Sequence, residues 1–500
     1  MPKAARKKAP AKKSSTSTST AASGTMVAVW EDDPGDPNVP PPLAPIQIAV
    51  PNPAATPLPY KISGAAPAAS VYQPGTPEFR YWAAAAALRR TADFWSGIIA
   101  SGTSWQIGKV LPVDLDSGVD FNAFYTRGDG GDAPGLHFFH DSAGGRVYYS
   151  GESPDVVCHE MGHGVLDAIR PQLFDAQTVE APAFHESFAD MSAMLSALQV
   201  PSFRDALLKD TGGSINRSSR WSRLAEQLGS AIRQIQPDAV DPDCLRNASN
   251  SFFYTDPQEL PPQAPASQLC SEPHSFSRVF TGAFLEILSG IFQTQGDAND
   301  ANLVQTAQDG AKILIGGVLA APIVPDYFSQ VAASMVQFAE AAPFNGKYRN
   351  VLKSAFIRKG ILSLQAAATI SGMQKKSARG IAPHISSAAE LPRAAVSAAA
   401  YGLSKPVMNV HLAGEVKRLG VTGAAAVGAA EPRSPQNAAE AYTEDIFQRG
   451  HVDIGQHGHP TGGMTHPFSF KTHKIFEEKG ELVLRRITFD CGFDHRRRLP

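Results

Sequence analysis

The pentapeptide HEMGH at 159–163 places two histidines four residues apart with a glutamate between them. On a helix, residues four apart share a face, so the imidazoles of His159 and His163 can converge on one divalent metal ion. Glu160 can reach the open side of that ion, where a general base would act on metal-bound water. Because a catalytic zinc ion takes three protein ligands and leaves a position for water, the pattern predicts a third ligand elsewhere in the chain.

The third ligand is predicted on a second helix that follows in the sequence. Glu186 and Asp190 lie one turn apart on it, so both can face the first helix. Glu186 can bind the metal while Asp190 accepts the outer N–H of a ligating histidine, which fixes the tautomer of that ring. Gly162 and Gly164 each cost about 1 kcal/mol relative to alanine in a helix, so we expect them to permit close approach of the second helix.

The segments DVVCHEMGHGVLD at 155–167 and FHESFADMSAML at 184–195 resemble the thermolysin-like zinc metallopeptidases. The resemblance covers about residues 80–365. It implies an α+β fold of two lobes, in which an N-terminal sheet lobe carrying the metal helix faces a C-terminal helical lobe. It also implies one catalytic zinc ion in the cleft between the lobes, and a peptide or protein as the substrate.

The resemblance assigns further residues to the substrate cleft. The segment with Asn122 and Ala123 is similar to the family's edge strand, which holds an extended substrate peptide by backbone pairing. Arg246 resembles the arginine that contacts the substrate carbonyl next to the cut. His274 resembles the second active-site histidine, which stabilises the tetrahedral intermediate.

These similarities imply a zinc-dependent metalloendopeptidase. Glu160 would take a proton as water attacks the peptide carbonyl and would deliver it to the leaving amine. Val156 and Leu245 match positions near the pocket for the residue after the scissile bond, which implies a preference for large apolar side chains there. Both could equally be core residues.

Three positions depart from the family pattern. Phe174 stands where the family has a tyrosine that helps hold the oxyanion, and loss of one such donor typically costs about 10²–10³ in rate. Asp155 matches one ligand of the family's calcium site, but its partner carboxylate falls at Ala197, so no calcium site is predicted. The aspartate that pairs with the second histidine is not evident, and Glu272 is the nearest acid.

Two other functions compete with the peptidase. A catalytically weakened relative, lacking the hydroxyl at Phe174, would bind zinc and peptides or a protein partner without turnover. A structural zinc site would need a fourth protein ligand such as Cys158 or His185. Each of these diverges by ~100° around its helix from the adjacent predicted ligand, so both face away. A fourth side chain filling the open position would contradict the hydrolase interpretation.

Composition restricts the class of protein. The chain has 500 residues, of which 43% are hydrophobic, enough for two domains and a large core. A formal net charge of −2 provides no general attraction to nucleic acid or anionic membranes. No run approaches the roughly 18 consecutive apolar residues that span a bilayer. Because no signal peptide is evident either, we expect a cytoplasmic protein or one exported without a leader.

The chain divides into five predicted segments. They are a basic disordered tail at 1–25, a Pro-rich linker at 26–79, the sheet lobe with the metal helices at 80–200, the helical lobe at 201–370, and a C-terminal extension of unknown role at 371–500. The alternative for the tail is an overlong start, with Met26 as the initiator. Within the sheet lobe, short alternating runs predict an antiparallel sheet before the metal helix.

Three features outside the cleft leave alternatives open. Cys244 and Cys270 flank a Pro-rich loop and could form a disulfide or remain free thiols. The His-rich stretch at 451–473 could hold a second metal or be solvated. Phe468–Phe476 and Leu482–Phe489 predict a β-hairpin near the C-terminus.

Overall fold

The computed structural model describes residues 26–36, 43–372, 390–417, 419–424, 433–458 and 470–492. The α+β prediction is confirmed, because helices and several small sheets are both present. The helices are α1 Pro77–Ser96, α2 Pro154–Ile169, α3 Gln172–Asp175, α4 Glu180–Ala197, α5 Pro201–Thr211, α6 Glu226–Arg233, α7 Pro273–Thr294, α8 Asp300–Ala320, α9 Tyr327–Glu340, α10 Arg349–Arg358, α11 Leu364–Gly372 and α12 Pro435–Gln448.

The strands are short. They are β1 Met26–Val29, β2 Ile46–Ala49, β3 Tyr60–Ile62, β4 Leu111–Asp114, β5 Ala123–Thr126, β6 Gly135–Phe138, β7 His140–Ala143, β8 Arg146–Tyr149, β9 Arg223–Leu224, β10 Arg246–Asn247, β11 Arg393–Ser397, β12 Val407–His411, β13 Val452–Asp453, β14 His473–Glu478, β15 Glu481–Arg486 and β16 Thr488–Asp490.

The main sheet has five strands in the order β16-β5-β6-β4-β3. β4 runs parallel to β3 and β6, whereas β5 runs antiparallel to β6 and β16. The sheet is therefore mixed, and the prediction of an antiparallel sheet was wrong for its β3, β4 and β6 part. All four residues of β5 and of β6 are buried, and α2 packs against β5.

Helix α4 lies at the centre of the helical part, packed between α2 and α7. Helices α7, α8, α9 and α10 all lie within the segment 201–370 that was predicted to be helical. α7 is long and apolar enough by composition to cross a membrane, but 83% of that span is buried inside the protein. It packs against α4, α8 and α10 as a core helix.

The segment predicted as a linker at 26–79 contributes to the core. Val27 and Val29 of β1 are buried, and Tyr60 and Ile62 of β3 are buried at the edge of the main sheet. Alternating apolar residues in these strands outweigh the Pro-rich composition, because each strand finds a partner. β1 pairs with β2 inside the segment, and β3 pairs with β4 beyond it. The predicted tail at 1–25 lies outside the described residues.

The C-terminal part contains a second five-stranded sheet in the order β11-β12-β15-β14-β13. It packs with α12 around a separate small core that includes Met408, Ile446 and Leu484. The predicted hairpin is present as β14 and β15, joined by a turn in which Lys479 and Gly480 have φ of 52° and 85°. Its second strand ends sooner than predicted, because the chain then leaves this sheet and forms β16 on the main sheet.

Candidate metal centre

Helix α2 holds His159 and His163 rigidly inside the protein. Ser153 caps the helix by accepting a hydrogen bond from the Val156 N–H, and Pro154 occupies its first turn, where no backbone donor is needed. Both histidines are buried. Their spacing turns the two rings toward the same side, with ring centroids 4.9 Å apart.

The close approach of α2 and α4 occurs at Gly162. A Cβ there would lie 2.8 Å from Cβ of Ser192 and 2.9 Å from Cα of Ala189, too close for any side chain. The reason predicted for this glycine is confirmed. Gly164 instead faces Trp105, where a Cβ would lie at an ordinary 3.4 Å.

Four atoms that can bind a metal converge beside this contact. They belong to His159, His163, Glu186 and Cys491, and all lie within 4.8 Å of one another. Sγ of Cys491 lies 3.3 Å from Nε2 of His159 and 3.4 Å from Nε2 of His163. Oε2 of Glu186 lies 3.3 Å from Nε2 of His159 and 3.8 Å from Sγ of Cys491.

This group could hold a metal ion. Tetrahedral zinc with bonds of about 2.0–2.3 Å to nitrogen, oxygen and sulfur separates its ligand atoms by roughly 3.3–3.6 Å, close to the distances observed. The three ligands predicted from the sequence, His159, His163 and Glu186, are therefore together. The expectation of a position left open for water is wrong for this conformation, because Cys491 is a fourth side chain at that position. This conformation therefore contradicts a working hydrolase, and hydrolysis would require Cys491 to leave.

Asp190 lies behind His159, where it was predicted. Its Oδ1 is 3.0 Å from Nδ1 of His159 and accepts a hydrogen bond of 2.8 Å from Nη2 of Arg246. Burial alone would lower the pKa of His159, but hydrogen bonds to Asp190 and Glu186 raise it to about 9. Burial would raise the pKa of Asp190, but Arg246 and His159 lower it to about 2.

His163 has a different partner, which the sequence analysis did not assign. Its Nδ1 lies 3.2 Å from Nδ1 of His185, so one ring donates an N–H and the other accepts it. Burial lowers the pKa of both rings, which keeps them neutral. When His163 is neutral and its Nδ1–H donates a hydrogen bond, Nε2 carries a free lone pair. That lone pair faces the metal-binding atoms of His159, Glu186 and Cys491.

Glu160 is fully buried beside these four metal-binding atoms, and its carboxylate interacts with the thiol of Cys491. Burial raises its pKa to about 8, against an opposing effect of His159. A metal cation held by the four metal-binding atoms would favour the charged form of Glu160. A desolvated acid that titrates near neutrality is typical of a group that takes up and gives back a proton.

His274, at the start of α7, also faces this group. Its Nε2 lies 3.2 Å from Oε2 of Glu186, and its Nδ1 lies 2.7 Å from Oε1 of Glu272. Glu272 therefore provides the acid that the sequence pattern lacked, and it caps α7 by accepting from the Ser275 N–H as well. Burial would lower the pKa of His274, but Glu186 and Glu272 raise it to about 9.

Arg246 closes this side of the site. It lies in β10 and donates through Nε and Nη2 to Asp190. Arg246, Glu186 and His274 line a cleft of about 520 Å³ that extends toward α12 and the C-terminal sheet. These predicted residues are thus brought together around one opening.

The backbone predicted to hold a substrate is occupied by the chain's own C-terminal strand. β16 pairs antiparallel with β5, and the Cys491 N–H donates to the carbonyl of Ala123 at 3.0 Å. Gly492 follows so closely that a Cβ on it would lie 2.3 Å from Cγ of Asn122. The sequence analysis did not anticipate this strand.

Val156 and Leu245 lie together beside the metal-binding group, as predicted. With Ala193 and Leu228 they line a small apolar pocket of about 20 Å³, and Cys491 forms part of its wall. Val156 is buried, whereas Leu245 is only partly so. The two residues therefore belong to the edge of the site as well as to the core.

Phe174 contributes no hydroxyl to the site. Its ring meets Phe489 of β16 edge-on, with centroids 5.2 Å apart, and the Arg127 guanidinium lies 4.0 Å above it. Phe489 also stacks on His163 and His185, with centroids at 4.9 and 3.9 Å. Phe174 thus serves here as apolar support for the C-terminal strand.

Cys491 and Phe489 are the site residues that the sequence analysis missed. They lie more than 300 positions beyond the histidines they contact, and no local spacing connects them to HEMGH. One signal was available: Cys491 follows the predicted hairpin directly, and a thiol is a zinc ligand of high affinity.

The remaining candidates lie elsewhere. All four cysteines of the chain are free, so Cys244 and Cys270 are not paired, and Cys158 faces the carbonyl of Ala87. Of the His-rich stretch, His459 and His466 lie outside the described residues. Within the described part no metal-binding group forms there.

Asp155 lies one turn before His159 on α2 and lines the small pocket of Val156 and Leu245, close to other acids. It accepts from the Ala225 N–H at 3.0 Å. Burial and the charges of Asp33 and Glu226 raise its pKa to about 8. Ala197 is buried on α4 and supplies no carboxylate.

No family model matches the chain, and no curated protein matches it either.

Proposed function

We propose that the protein is a zinc-dependent metalloendopeptidase of the thermolysin-like type. Glu160 carries the proposal. It is fully buried beside four metal-binding atoms, one of which, the thiol sulfur of Cys491, is its hydrogen-bond partner in this conformation. Burying such a group costs stability. A metal site that only held the fold together would gain nothing from it, whereas a hydrolase requires a base at this position.

The arrangement of the other residues supports the same chemistry. When bound, zinc supplies Lewis acidity, which polarises a carbonyl group and activates water at neutral pH. Glu160 accepts the proton of the attacking water and passes it to the leaving amine. His274, kept protonated by Glu186 and Glu272, donates to the developing oxyanion. Arg246, oriented by Asp190, holds the substrate carbonyl.

The substrate class follows from the sheet edge and the small pocket. An extended peptide would pair with the backbone at Asn122 and Ala123, in the way β16 does. The pocket at Val156 and Leu245 would take a large apolar side chain after the scissile bond. At about 20 Å³ it is too small for one until Cys491, part of its wall, moves away. The sheet region and the helical region would then correspond to the two lobes of such an enzyme.

A closed structural metal site is the second candidate, and Cys491 favours it. Two histidines, a glutamate and a cysteine would supply the four protein ligands of a structural zinc site, with no position for water. Such a site would stabilise the junction of α2, α4 and β16. It gives Glu160 no proton to transfer and His274 no oxyanion to stabilise.

The decisive experiment measures metal content and peptide hydrolysis on the same preparations. The full-length chain is loaded with zinc, both with Cys491 intact and as Cys491→Ala, and each form is compared with its Glu160→Gln counterpart. We expect about one zinc per chain in all four proteins. The two proteins that retain Glu160 should cleave extended peptides with apolar side chains. Glu160→Gln should reduce turnover by roughly 10²–10⁴-fold, and a chelator should abolish it.

The controls separate the candidate functions. Glu160 is not a ligand, so zinc retained in Glu160→Gln would show that lost turnover reflects lost proton transfer. Zinc binding without turnover in either Cys491 background would contradict the peptidase. Chelator-sensitive stability would then identify a structural site, and peptide affinity without cleavage would identify a weakened relative.

A further inference from the structure

We propose that residues 488–492 are an intramolecular inhibitor, in which β16 covers the substrate edge and Cys491 takes the fourth coordination position of the metal. This inference rests on the proposed function, because only a site that binds and cuts peptides can be inhibited in this way. It assigns the described conformation to a latent state of the enzyme. It also gives the C-terminal extension a role.

The strand occupies the place of a substrate backbone. Thr488, Phe489 and Asp490 are aligned with Thr126, Tyr125 and Phe124 of β5 in antiparallel register. The hydroxyl of Thr488 donates to the carbonyl of Tyr125 at 3.0 Å. With this edge paired, no other extended peptide can add to β5.

The thiol completes the block at the metal-binding group. Sγ of Cys491 lies 3.3–3.4 Å from the two histidine nitrogens, so it would be within reach of a metal ion held by His159, His163 and Glu186. A peptide bond undergoing hydrolysis would have to bring its carbonyl to the same ion. Here a side-chain sulfur lies there instead, so the segment is bound as an inhibitor and is not poised for cleavage.

The segment is fitted to its surroundings on both sides of the strand. Phe489 lies against the rings of His163, His185 and Phe174. At the other side, Gly492 reaches the buried Asn122 at a distance that excludes any side chain. Such contacts extend along the whole strand. An accidental approach of Cys491 alone would not produce them.

The C-terminal sheet places the strand. β15 ends at Arg486 and β16 begins at Thr488, so the rigid hairpin leads directly into the cleft. Arg485 forms an ion pair of 3.1 Å with Asp129, and Lys474 donates to the carbonyl of Gly130 at 3.4 Å. Movement of the hairpin away from these contacts would withdraw β16 and Cys491 together, and would uncover the edge and the metal in one step.

The test uses the full-length chain as wild type, Cys491→Ala, Cys491→Ser and Cys244→Ser. Cys244 is buried and its thiol contacts only Asp243 among the hydrogen bonds described, so Cys244→Ser controls for loss of any thiol. Each protein is loaded with zinc for peptide hydrolysis and with cobalt(II) for absorption spectroscopy. A thiolate bound to cobalt(II) produces a charge-transfer band in the near ultraviolet.

We expect the cobalt band in the wild type and in Cys244→Ser, and its loss in both Cys491 variants. Turnover in the Cys491 variants should exceed that of the wild type by at least about tenfold. Only the open state of the wild type can cleave peptides, and a minor state of this kind is populated at about 10% or less. Cys244→Ser should match the wild type. The two Cys491 variants check each other against a folding defect, which circular dichroism would report.

Other outcomes overturn the inference in distinguishable ways. If the wild type cleaves peptides as fast as Cys491→Ala, the segment does not inhibit, although the proposed peptidase function stands. If the cobalt band is absent from the wild type, Cys491 is not a ligand, whatever the turnover. If the band is present but no variant cleaves peptides, Cys491 belongs to a closed structural site and the proposed function fails as well.

Discussion

At the scale of single residues, the pair of Glu272 and His274 explains how the cleft keeps a cation beside the metal-binding group. The carboxylate lies 2.7 Å from Nδ1 of His274 and also caps α7. One glutamate thus orients the ring, sets its charge and begins its helix. A sequence pattern based on a distant aspartate would not find it, because the acid lies only two positions away.

Glu272→Gln should therefore move the alkaline limb of the pH–rate profile to lower pH. His274 acts as a cation and loses activity as pH rises through its pKa, which lies at about 9. Removal of the adjacent negative charge lowers that pKa, so activity disappears at a lower pH. The profile is measured in the Cys491→Ala background. The exposed Glu259, in the loop before α7, provides the control Glu259→Gln, which should leave the limb in place.

Gly492→Val tests the fit of the inhibitory segment without changing a metal-binding atom. A Cβ at 492 would lie 2.3 Å from Cγ of Asn122. The clash should weaken the closed state by about 1–3 kcal/mol, or roughly 5- to 150-fold in the ratio of open to closed forms. Turnover of the full chain should rise accordingly. Gly420→Val has no atom within 4 Å of the new Cβ and should change nothing. Equal turnover of the two variants would contradict the fit described here.

At the scale of elements, the contact of α2 with α4 sets the distance between the two histidines and Glu186. The sequence predicted the contact of α2 with α4 correctly. The spacing of HEMGH, the two acids one turn apart on α4, and Gly162 at the contact are all local signals. The contact with β16 was not predictable in the same way. It joins β5 and β16, which are far apart in the sequence, and only the folded chain relates them.

Gly162→Ala should loosen this junction, whereas Gly164→Ala should not. The new Cβ at 162 meets the backbone of Ala189 at 2.9 Å, which should lower the free energy of unfolding by about 1–3 kcal/mol. Zinc affinity should fall with it, because the ligands lie on both helices. At 164 the nearest atom lies 3.4 Å away, and alanine gains up to about 1 kcal/mol of helix propensity. Urea unfolding and competition with a chromophoric chelator measure the two effects.

At the scale of the whole molecule, the N-terminal segment and α2 bury acids together. Asp32, Asp33 and Asp155 are all buried. The backbone N–H of Ala225 donates to Asp155, and that of Gln227 donates to Asp33. Residues 26–79 were predicted to be a linker from their Pro-rich composition. Burial of Asp33 depends on Ser153 and Gln227, which lie far along the chain, so no local pattern reveals it.

Asp155→Asn should stabilise the protein increasingly as pH rises. Burial first, and then Asp33, raise the pKa of Asp155 to about 8 in the folded state, while an unfolded aspartate titrates near 3.9. Folding therefore takes up a proton between these values, and stability declines as pH rises through that range. Asparagine retains an acceptor for the Ala225 N–H and has no charge to bury. Melting temperatures from pH 5 to pH 8, in metal-free buffer, should diverge, whereas the surface variant Asp297→Asn should follow the wild type.

The C-terminal strand has one more consequence, which concerns solubility. β16 is the edge strand of its sheet and lies next to β5. When β16 leaves, β5 becomes the edge strand, with unpaired backbone amide and carbonyl groups. Such edges recruit strands from neighbouring molecules and seed insoluble assemblies. An activated molecule would therefore be more prone to aggregation than the latent one. A bound peptide that pairs with β5 would reduce this tendency.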